Sequence, residues 1–278
     1  GRFAPAKHPK TPNHPHKGDE VNSYLQVMPF TRRQIVVGGL IKTMRPKQWI
    51  KNIFAFAPLV FDGKLLAPVY LARTLAGFVL LCLISGTVYL INDLVDVEQD
   101  RQHPKKRLRP IASGKLPPGA AIAAAIVIPL GALPVGFLLD PVFGAILAGY
   151  LALQIAYSFA LKHIVIIDVM VIASGFLLRV AAGVPLVEAK RFSPWLYVCM
   201  MLGALLIGFG KRRHELNLLQ ENANAHRQSL EEYNLILLDH AITIVTASTL
   251  LAYALYTFSA KGLPENHAMM LTIPFVLY

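Results

Sequence analysis

Long apolar stretches recur along this chain, and they restrict its fold more than any other feature of the sequence. Each intact stretch is close to the roughly 20 residues that a helix needs to cross a bilayer, and it is too long for a strand of a membrane barrel. Charged residues make up only 15% of the chain, against about 25% in soluble domains. This pattern excludes an ordinary soluble enzyme and a disordered chain. We therefore predict an all-α, polytopic transmembrane helical bundle.

The predicted spans follow the apolar stretches. They cover approximately 34–61, 70–91, 119–139, 141–160, 164–184, 194–210 and 234–258, and a further span begins near 268 and is cut off by the end of the chain. We therefore expect about eight or nine spans in a longer, complete protein. Residues 1–33 are rich in Pro, Lys and His. They are predicted to form a flexible cytoplasmic tail ahead of a transmembrane catalytic domain at 34–278.

The positions of Lys and Arg predict the orientation of the bundle. The region up to Lys51 holds 10 of them, the 92–117 loop holds 6 and the 211–233 loop holds 4. Because positive residues concentrate on the cytoplasmic side of membrane proteins, we expect the N-terminus and both long polar loops to be cytoplasmic in a plasma-membrane protein. The net charge of +11 is then a topology signal, and we expect no nucleic-acid partner.

An acidic pattern at the end of the second predicted span carries the strongest chemical signal. Asn92 opens the pattern N-D-x-x-D-x-x-x-D, whose acids are Asp93, Asp96 and Asp100. On a continuous helix the second and third acids fall about 60° and 20° from the first, so all three share one face. Such a row repels itself unless a cation joins it, and Mg²⁺ prefers carboxylate oxygens. We predict that these acids are catalytic and bind Mg²⁺, with Mn²⁺ as an alternative.

Basic residues follow the acids at once. The same loop contains Lys105, Lys106, Arg107 and Arg109. Cations beside metal-binding acids are typical of a diphosphate site. A solvated loop whose bases only fix the topology is the alternative interpretation.

Polar residues also lie at membrane depth, where each needs a partner or a role. In the first span, Lys47 and Lys51 share one helix face; they either line a phosphate cavity or, for Lys51, extend to the lipid headgroups. Asp168 and Arg179 are aligned on one span but about 16 Å apart along its axis, so they cannot pair directly. Asp168 is a weaker site candidate, and Arg179 is interpreted as structural.

Several segments resemble a known family. The acidic pattern is similar to the first Asp-rich motif of the UbiA-type prenyltransferase superfamily, and the resemblance covers most of residues 34–278. Within that superfamily, five segments resemble the decaprenyl-phosphate phosphoribosyltransferase branch: RPKQWIKN (45–52), DRQHPKKRLRPIASG (100–114), LKHIVIIDVMVIASGFLLRVAAG (161–183), GKRRHEL (210–216) and HRQSLEEY (226–233).

The resemblance implies an enzyme whose pocket opens to the cytoplasm between helices. It would transfer a 5-phosphoribosyl group from phosphoribosyl diphosphate to a polyprenyl phosphate such as decaprenyl phosphate, releasing diphosphate, for lipid-linked cell-envelope sugars. Superfamily members usually carry a second Asp-rich motif after the sixth span, but no Asp lies between Lys211 and Tyr233 here. Extra cations and fewer acids suit a donor with more phosphate groups.

We predict a set of substrate-binding residues around the acids, partly on their positions and partly on the resemblance. The set is Lys47, Asn52, Asn92, Arg107, Arg109, Tyr157, Lys162, Lys211, Arg212 and Glu215. For Lys162 the alternative is a topology anchor, and for the 211–233 loop it is a polar surface hairpin.

Two other functions stay open. A prenyltransferase that moves a prenyl group from a prenyl diphosphate to an aromatic acceptor would use the same acids, although the missing second Asp-rich motif disfavours it. A transporter of phosphorylated solutes would place its charges near the membrane midplane, whereas these charges gather at one face. The expected partners are phosphoribosyl diphosphate, polyprenyl phosphate and the lipid bilayer, and a homo-oligomer is left open.

Overall fold

The computed structural model describes residues 32–189, 193–221, 233–259 and 268–277. This part of the chain is almost entirely helical and contains no strand, which confirms the predicted all-α class. Its α-helices are α1 (Arg32–Thr43), α2 (Ala57–Phe61), α3 (Pro68–Val95), α4 (Val97–Gln102), α5 (Pro118–Leu139), α6 (Pro141–Phe159), α7 (Ile167–Val187), α8 (Pro194–Glu221), α9 (Leu235–Ser259) and α10 (Ile273–Leu277). Short 3-10 helices cover Pro46–Phe56, Lys106–Leu108, Leu161–His163 and Ala268–Thr272. Residues 1–31, most of the predicted tail, lie outside the described residues.

Six of the described helices are long and apolar enough to cross a membrane: α3, α5, α6, α7, α8 and α9. They correspond to the second to seventh predicted spans, so the chain is a multi-pass membrane protein. The larger total of eight or nine spans stays a prediction.

The single helix predicted over 34–61 is wrong. The α-helical conformation is interrupted at Arg45, which has φ 53° and ψ 65°, and the chain continues as the 3-10 helix Pro46–Phe56. Pro46 explains the break, because a proline has no N–H to donate and disfavours the right-handed helical conformation of the residue before it. The first segment therefore turns sharply instead of crossing as one rod.

Helices α3 and α7 form the centre of the bundle. About half of each span is buried, whereas α5 and α8 expose most of their surface, as expected for helices that face lipid. The main core joins α3, α6 and α7 through large buried side chains: Leu81, Ile84, Phe143, Leu147 and Leu186. Gly183 of α7 lies directly against the backbone of Ala55, and an added Cβ there would overlap the Ala55 carbonyl oxygen. The 3-10 helix is therefore held against α7 by backbone contact.

Polar contacts close the end of the bundle where α3 begins. Arg73 of α3 pairs with Glu188 at 2.9 Å, and Lys64 donates to the carbonyl of Val187 at 2.8 Å. The turn before α6 is capped by Asp140, which accepts hydrogen bonds from the first N–H groups of that helix. The acids Asp93, Asp96 and Asp100 lie at the other end of α3, which we call the Asp-rich end.

Candidate active site

Two of the three predicted acids meet at the Asp-rich end. Asp93 lies in the last turn of α3 and Asp100 lies in α4, and each side chain is only 2% exposed. Arg109 Nη1 donates to Asp93 Oδ1 at 3.1 Å and to Asp100 Oδ2 at 2.6 Å. Both carboxylates thus converge on one cationic nitrogen, as buried like charges require a shared counterion.

The third acid faces a different partner. Helix α3 ends at Val95, and Asp96 connects it to α4 with φ −91° and ψ 7°. Asp96 Oδ1 accepts a hydrogen bond from Lys162 Nζ at 2.5 Å, and Asp96 Oδ2 accepts one from Asn92 Nδ2 at 3.3 Å. The continuous helix face predicted for the three acids is therefore interrupted at Asp96.

Asp93 and Asp100 have the donor chemistry that a hard divalent cation needs. Mg²⁺ usually takes one or two protein carboxylates and completes its shell with water and substrate phosphates. Within the described ranges, no three His, Cys, Asp or Glu side chains are grouped to hold a metal ion. The geometry thus offers a pair of converging carboxylates, and a role for Asp96 as a third ligand stays a prediction.

Arg45 is a site residue that the predicted set did not include. Its Nη2 donates to Asp93 Oδ1 at 2.5 Å, and its guanidinium lies 4.6 Å from the ring centroid of Tyr89. The break at Arg45 brings the start of the 3-10 helix to the Asp-rich end. The signal in the sequence was the RPKQWIKN segment, where the arginine precedes the helix-breaking proline.

A second buried cluster links α7, α8 and the start of α9. Arg212 is 3% exposed and donates through Nε to Asp168 Oδ2 at 2.8 Å and through Nη1 to Glu215 Oε2 at 2.6 Å. Tyr233 donates to Asp168 Oδ1 at 2.6 Å. Arg212 and Glu215, both predicted to bind substrate, are therefore engaged with protein groups, and Asp168 is their buried anchor.

Tyr233 also supports the loop that carries Lys162. The Tyr233 hydroxyl accepts a hydrogen bond from the Ile166 N–H at 2.7 Å, and Ile166 has φ 70°. A β-branched residue rarely adopts a positive φ, so neighbouring contacts must hold this turn. Burial and the hydrogen bond to Asp168 raise the pKa of Tyr233, so its hydroxyl stays protonated and remains a donor. We infer that Asp168 and Tyr233 help to present Lys162 to Asp96.

Replacing Tyr233 with Phe is expected to lower the free energy of unfolding by about 1–3 kcal/mol, since the Ile166 N–H and Asp168 each lose a buried partner. Denaturant unfolding of the purified protein in detergent micelles measures this loss. Tyr253→Phe is the matched control, because among the described residues the Tyr253 hydroxyl hydrogen-bonds only Thr272 Oγ1, at 2.6 Å, and this variant should lose less stability. Equal losses in both variants would contradict the anchoring role of Tyr233.

Asn52 lies away from the acids, in a buried network within the bundle. It is 1% exposed, and its Oδ1 accepts a hydrogen bond from Arg179 Nε at 2.8 Å. Its Nδ2 lies 3.2 Å from both Cys82 Sγ and Ser85 Oγ. Asn52 is thus fully engaged between α3 and α7, and its predicted contact with substrate would require these bonds to rearrange.

The remaining predicted residues differ in their exposure. Lys47 and Arg107 are exposed, and the side chain of Lys211 is 72% exposed with a distant partner, Glu215, at 3.9 Å. Tyr157 is half-buried and lies near Arg212. The described structure therefore concentrates paired charges at Asp93, Asp96 and Asp100 and leaves Lys47, Arg107 and Lys211 at the surface.

Comparison with known proteins establishes the family. The protein-family model described as "UbiA prenyltransferase family" matches residues 53–259. This chain belongs to the UbiA prenyltransferase family. Two similar UbiA relatives, from Mycobacterium tuberculosis and Mycolicibacterium smegmatis, are both named decaprenyl-phosphate phosphoribosyltransferase. The first is 36% identical over 246 residues, covering 87% of this chain and 81% of the relative; the second is 38% identical over 233 residues, covering 81% and 71%.

A solved UbiA structure has the same fold. The UbiA homolog from Archaeoglobus fulgidus bound to DMAPP and Mg²⁺ superposes with a TM-score of 0.68 and 17% identity, covering 86% of this chain and 84% of that one. The family resemblance predicted from five segments is therefore confirmed. Lys211, Arg212 and Arg213 lie within α8, so the segment predicted as a 211–233 loop is helical up to Glu221.

Proposed function

We propose that this protein transfers a 5-phosphoribosyl group from phosphoribosyl diphosphate to a polyprenyl phosphate, such as decaprenyl phosphate, and releases diphosphate. The observation that carries the proposal is the Asp93–Asp100 pair, which contacts Arg45 and Arg109, beside the Asp96–Lys162 ion pair. The named relatives cover most of the chain, and they support the same donor and acceptor classes. The product would serve lipid-linked cell-envelope sugar synthesis.

The proposed site would hold the leaving diphosphate between acids and bases. Asp93 and Asp100, with Asp96 as a third candidate, would bind Mg²⁺, which supplies positive charge to neutralise the departing diphosphate. Arg109 and Lys162 are already oriented by carboxylates, so they can donate to phosphate oxygens with little reorganisation.

The acceptor needs no strong base. A lipid phosphate is already an anion, and it can attack C1 of the ribose as the bond from C1 to the diphosphate oxygen breaks. The chain's contribution is then positioning and stabilisation of charge. The remaining proposed substrate contacts are Lys47, Asn52, Asn92, Arg107, Tyr157, Lys211, Arg212 and Glu215.

We place the Asp-rich end on the cytoplasmic side of the plasma membrane. The basic residues before Lys51 and in the 92–117 loop support this orientation. Phosphoribosyl diphosphate is a water-soluble, highly charged donor, and it would reach the acids from the cytoplasm without crossing the bilayer.

Arg107→Ala is expected to raise the KM for phosphoribosyl diphosphate about tenfold while the KM for polyprenyl phosphate stays nearly constant. Arg107 is exposed and lies two residues before Arg109, which contacts the paired acids, and a charge-assisted hydrogen bond to phosphate is worth about 1.5–3 kcal/mol. Steady-state kinetics with each substrate varied in turn measures both constants. Lys115→Ala, an exposed change in the same loop, is the control. Equal changes in both KM values would indicate a scaffold role instead.

Incubation of the purified protein in nanodiscs with labelled phosphoribosyl diphosphate and polyprenyl phosphate tests the proposed function. We expect label in the lipid fraction only when both substrates are present. A parallel reaction with labelled prenyl diphosphate and an aromatic acid tests the alternative enzyme. Prenylated aromatic product without lipid-linked ribosyl phosphate would overturn the proposal, and so would uptake of phosphorylated solutes into vesicles without either product.

A further inference from the structure

A second region of positive charge lies deeper in the bundle than the acids. Asn52, which holds Arg179, contacts Cys82 and Ser85, 11 and 8 residues before Asp93 along α3. At 1.5 Å per residue this region lies about 12–16 Å from Asp93 along the helix axis. Its cations are Arg179 of α7 and Lys51 of the 3-10 helix, and we call them the deep cation pair.

Among the residues that the structure describes, Arg179 has only neutral hydrogen-bond partners. It is 8% exposed and donates to Asn52 Oδ1 at 2.8 Å, to the Gly175 carbonyl at 2.7 Å and to the Tyr150 hydroxyl at 2.7 Å. A guanidinium has five N–H donors, so three such bonds leave donors for a ligand. A buried charge without a counterion is costly inside a membrane, so this site favours a bound anion.

Lys51 reinforces this need for an anion. Its ammonium group lies 6.0 Å from the ring centroid of Phe176, and the Arg179 guanidinium lies 5.3 Å from the same centroid. Lys51 is partly buried, and burial makes an unpaired charge costly. Among the residues whose side chains are described, Lys51 Nζ has no hydrogen-bond acceptor, and neither member of the deep cation pair forms an ion pair with a carboxylate.

An apolar groove begins beside the deep cation pair. Its volume is about 430 Å³, and it is lined by Ile53, Phe54, Phe56, Ala57, Val60 and Phe61. Phe54 joins the two features, because its ring packs edge-to-face on Phe176 with the centroids 5.7 Å apart. A ligand that spans both must therefore carry an anionic head and an apolar chain.

We propose that the deep cation pair binds the phosphate of the polyprenyl phosphate acceptor and that the groove holds the first isoprene units of its chain. This inference rests on the proposed function and assigns its acceptor site. Phosphoribosyl diphosphate is polar throughout and would leave the groove unfilled. The paired acids and the cations around them are then available for phosphoribosyl diphosphate, so each substrate contacts its own set of cations.

Binding of farnesyl phosphate and of farnesol to the full chain in nanodiscs, without any donor, tests the assignment. Lys51→Gln should weaken farnesyl phosphate binding roughly ten- to hundredfold and leave farnesol binding unchanged, because the alcohol needs only the groove. Lys51→Arg should retain phosphate binding, since the charge is kept. Unchanged farnesol binding also shows that the variant is folded.

Lys42→Gln is the matched control, since Lys42 is exposed in the last turn of α1 and should not alter either affinity. Wild-type affinity of Lys51→Gln for farnesyl phosphate would overturn the inference. A raised KM for phosphoribosyl diphosphate with unchanged farnesyl phosphate binding would overturn it too, by assigning the pair to the donor's 5-phosphate. The proposed function fails separately, if the wild-type protein transfers no label to lipid.

Discussion

Asp93→Asn should lower kcat at least about a hundredfold, because it removes one of the two buried carboxylates that converge at the Asp-rich end. Asp93 Oδ1 contacts both Arg45 and Arg109, so the neutral amide also leaves these cations without their shared anion. Initial rates of label transfer to polyprenyl phosphate measure the loss. Asp100→Asn should be similarly severe, since Asp100 is equally buried and shares Arg109.

Glu98→Gln is the control for this loss. Glu98 lies between the acids in sequence, but its side chain is 74% exposed and pairs with Arg101 on the surface. Such surface pairs contribute little, so its rate should stay within about twofold of wild type. A rate near wild type for Asp93→Asn would refute the proposed role of the carboxylate pair, and a matching loss in Glu98→Gln would point to a general effect of acid removal.

Removing divalent cations with a chelator should abolish transfer, and excess Mg²⁺ or Mn²⁺ should restore it. The two converging carboxylates and the diphosphate would otherwise repel one another. The same assay, run over a series of free Mg²⁺ concentrations, measures the dependence. Full turnover in excess chelator would exclude the metal role.

The three acids should differ in how much each contributes to metal affinity. Direct Mn²⁺ binding, followed by electron paramagnetic resonance with diphosphate present, should weaken strongly in Asp93→Asn and Asp100→Asn. Asp96→Asn should keep more of its affinity, because Asp96 is turned to Lys162. Equal losses in all three variants would support the three-carboxylate site predicted from the sequence and reject a metal site made by two.

Hydropathy was sufficient to predict most of the bundle. The spans expected at 70–91, 141–160 and 164–184 correspond to α3, α6 and α7, because a helix that crosses lipid must be apolar over its whole length. The first span was mispredicted because hydropathy does not report backbone conformation. Its apolar content is typical of a membrane helix, but Pro46 interrupts the α-helix.

The acids were predictable from spacing, but their partners were not. Arg45 and Asp93 are separated by 48 residues, and only packing of the 3-10 helix against α3 and α7 brings them together. Arg212 and Glu215 were predicted to bind substrate because the sequence assigned both to a polar loop, but both lie in α8. The fold instead uses Arg212 to neutralise the buried Asp168, a contact across 44 residues that no local pattern encodes.

The contact at Gly183 sets a limit on how this enzyme can change its acceptor. Lys51 and Asn52 lie four and three residues before Ala55 in the same 3-10 helix, and the Ala55 carbonyl oxygen occupies the space that a side chain at position 183 would need. Contact between main-chain atoms therefore sets the position of the deep cation pair along α7, and main-chain atoms have no alternative rotamers. If the deep cation pair binds the lipid phosphate as proposed, selection for lipids of other chain lengths would act on the apolar groove, while the distance between the ribose donor and the lipid phosphate would stay the same.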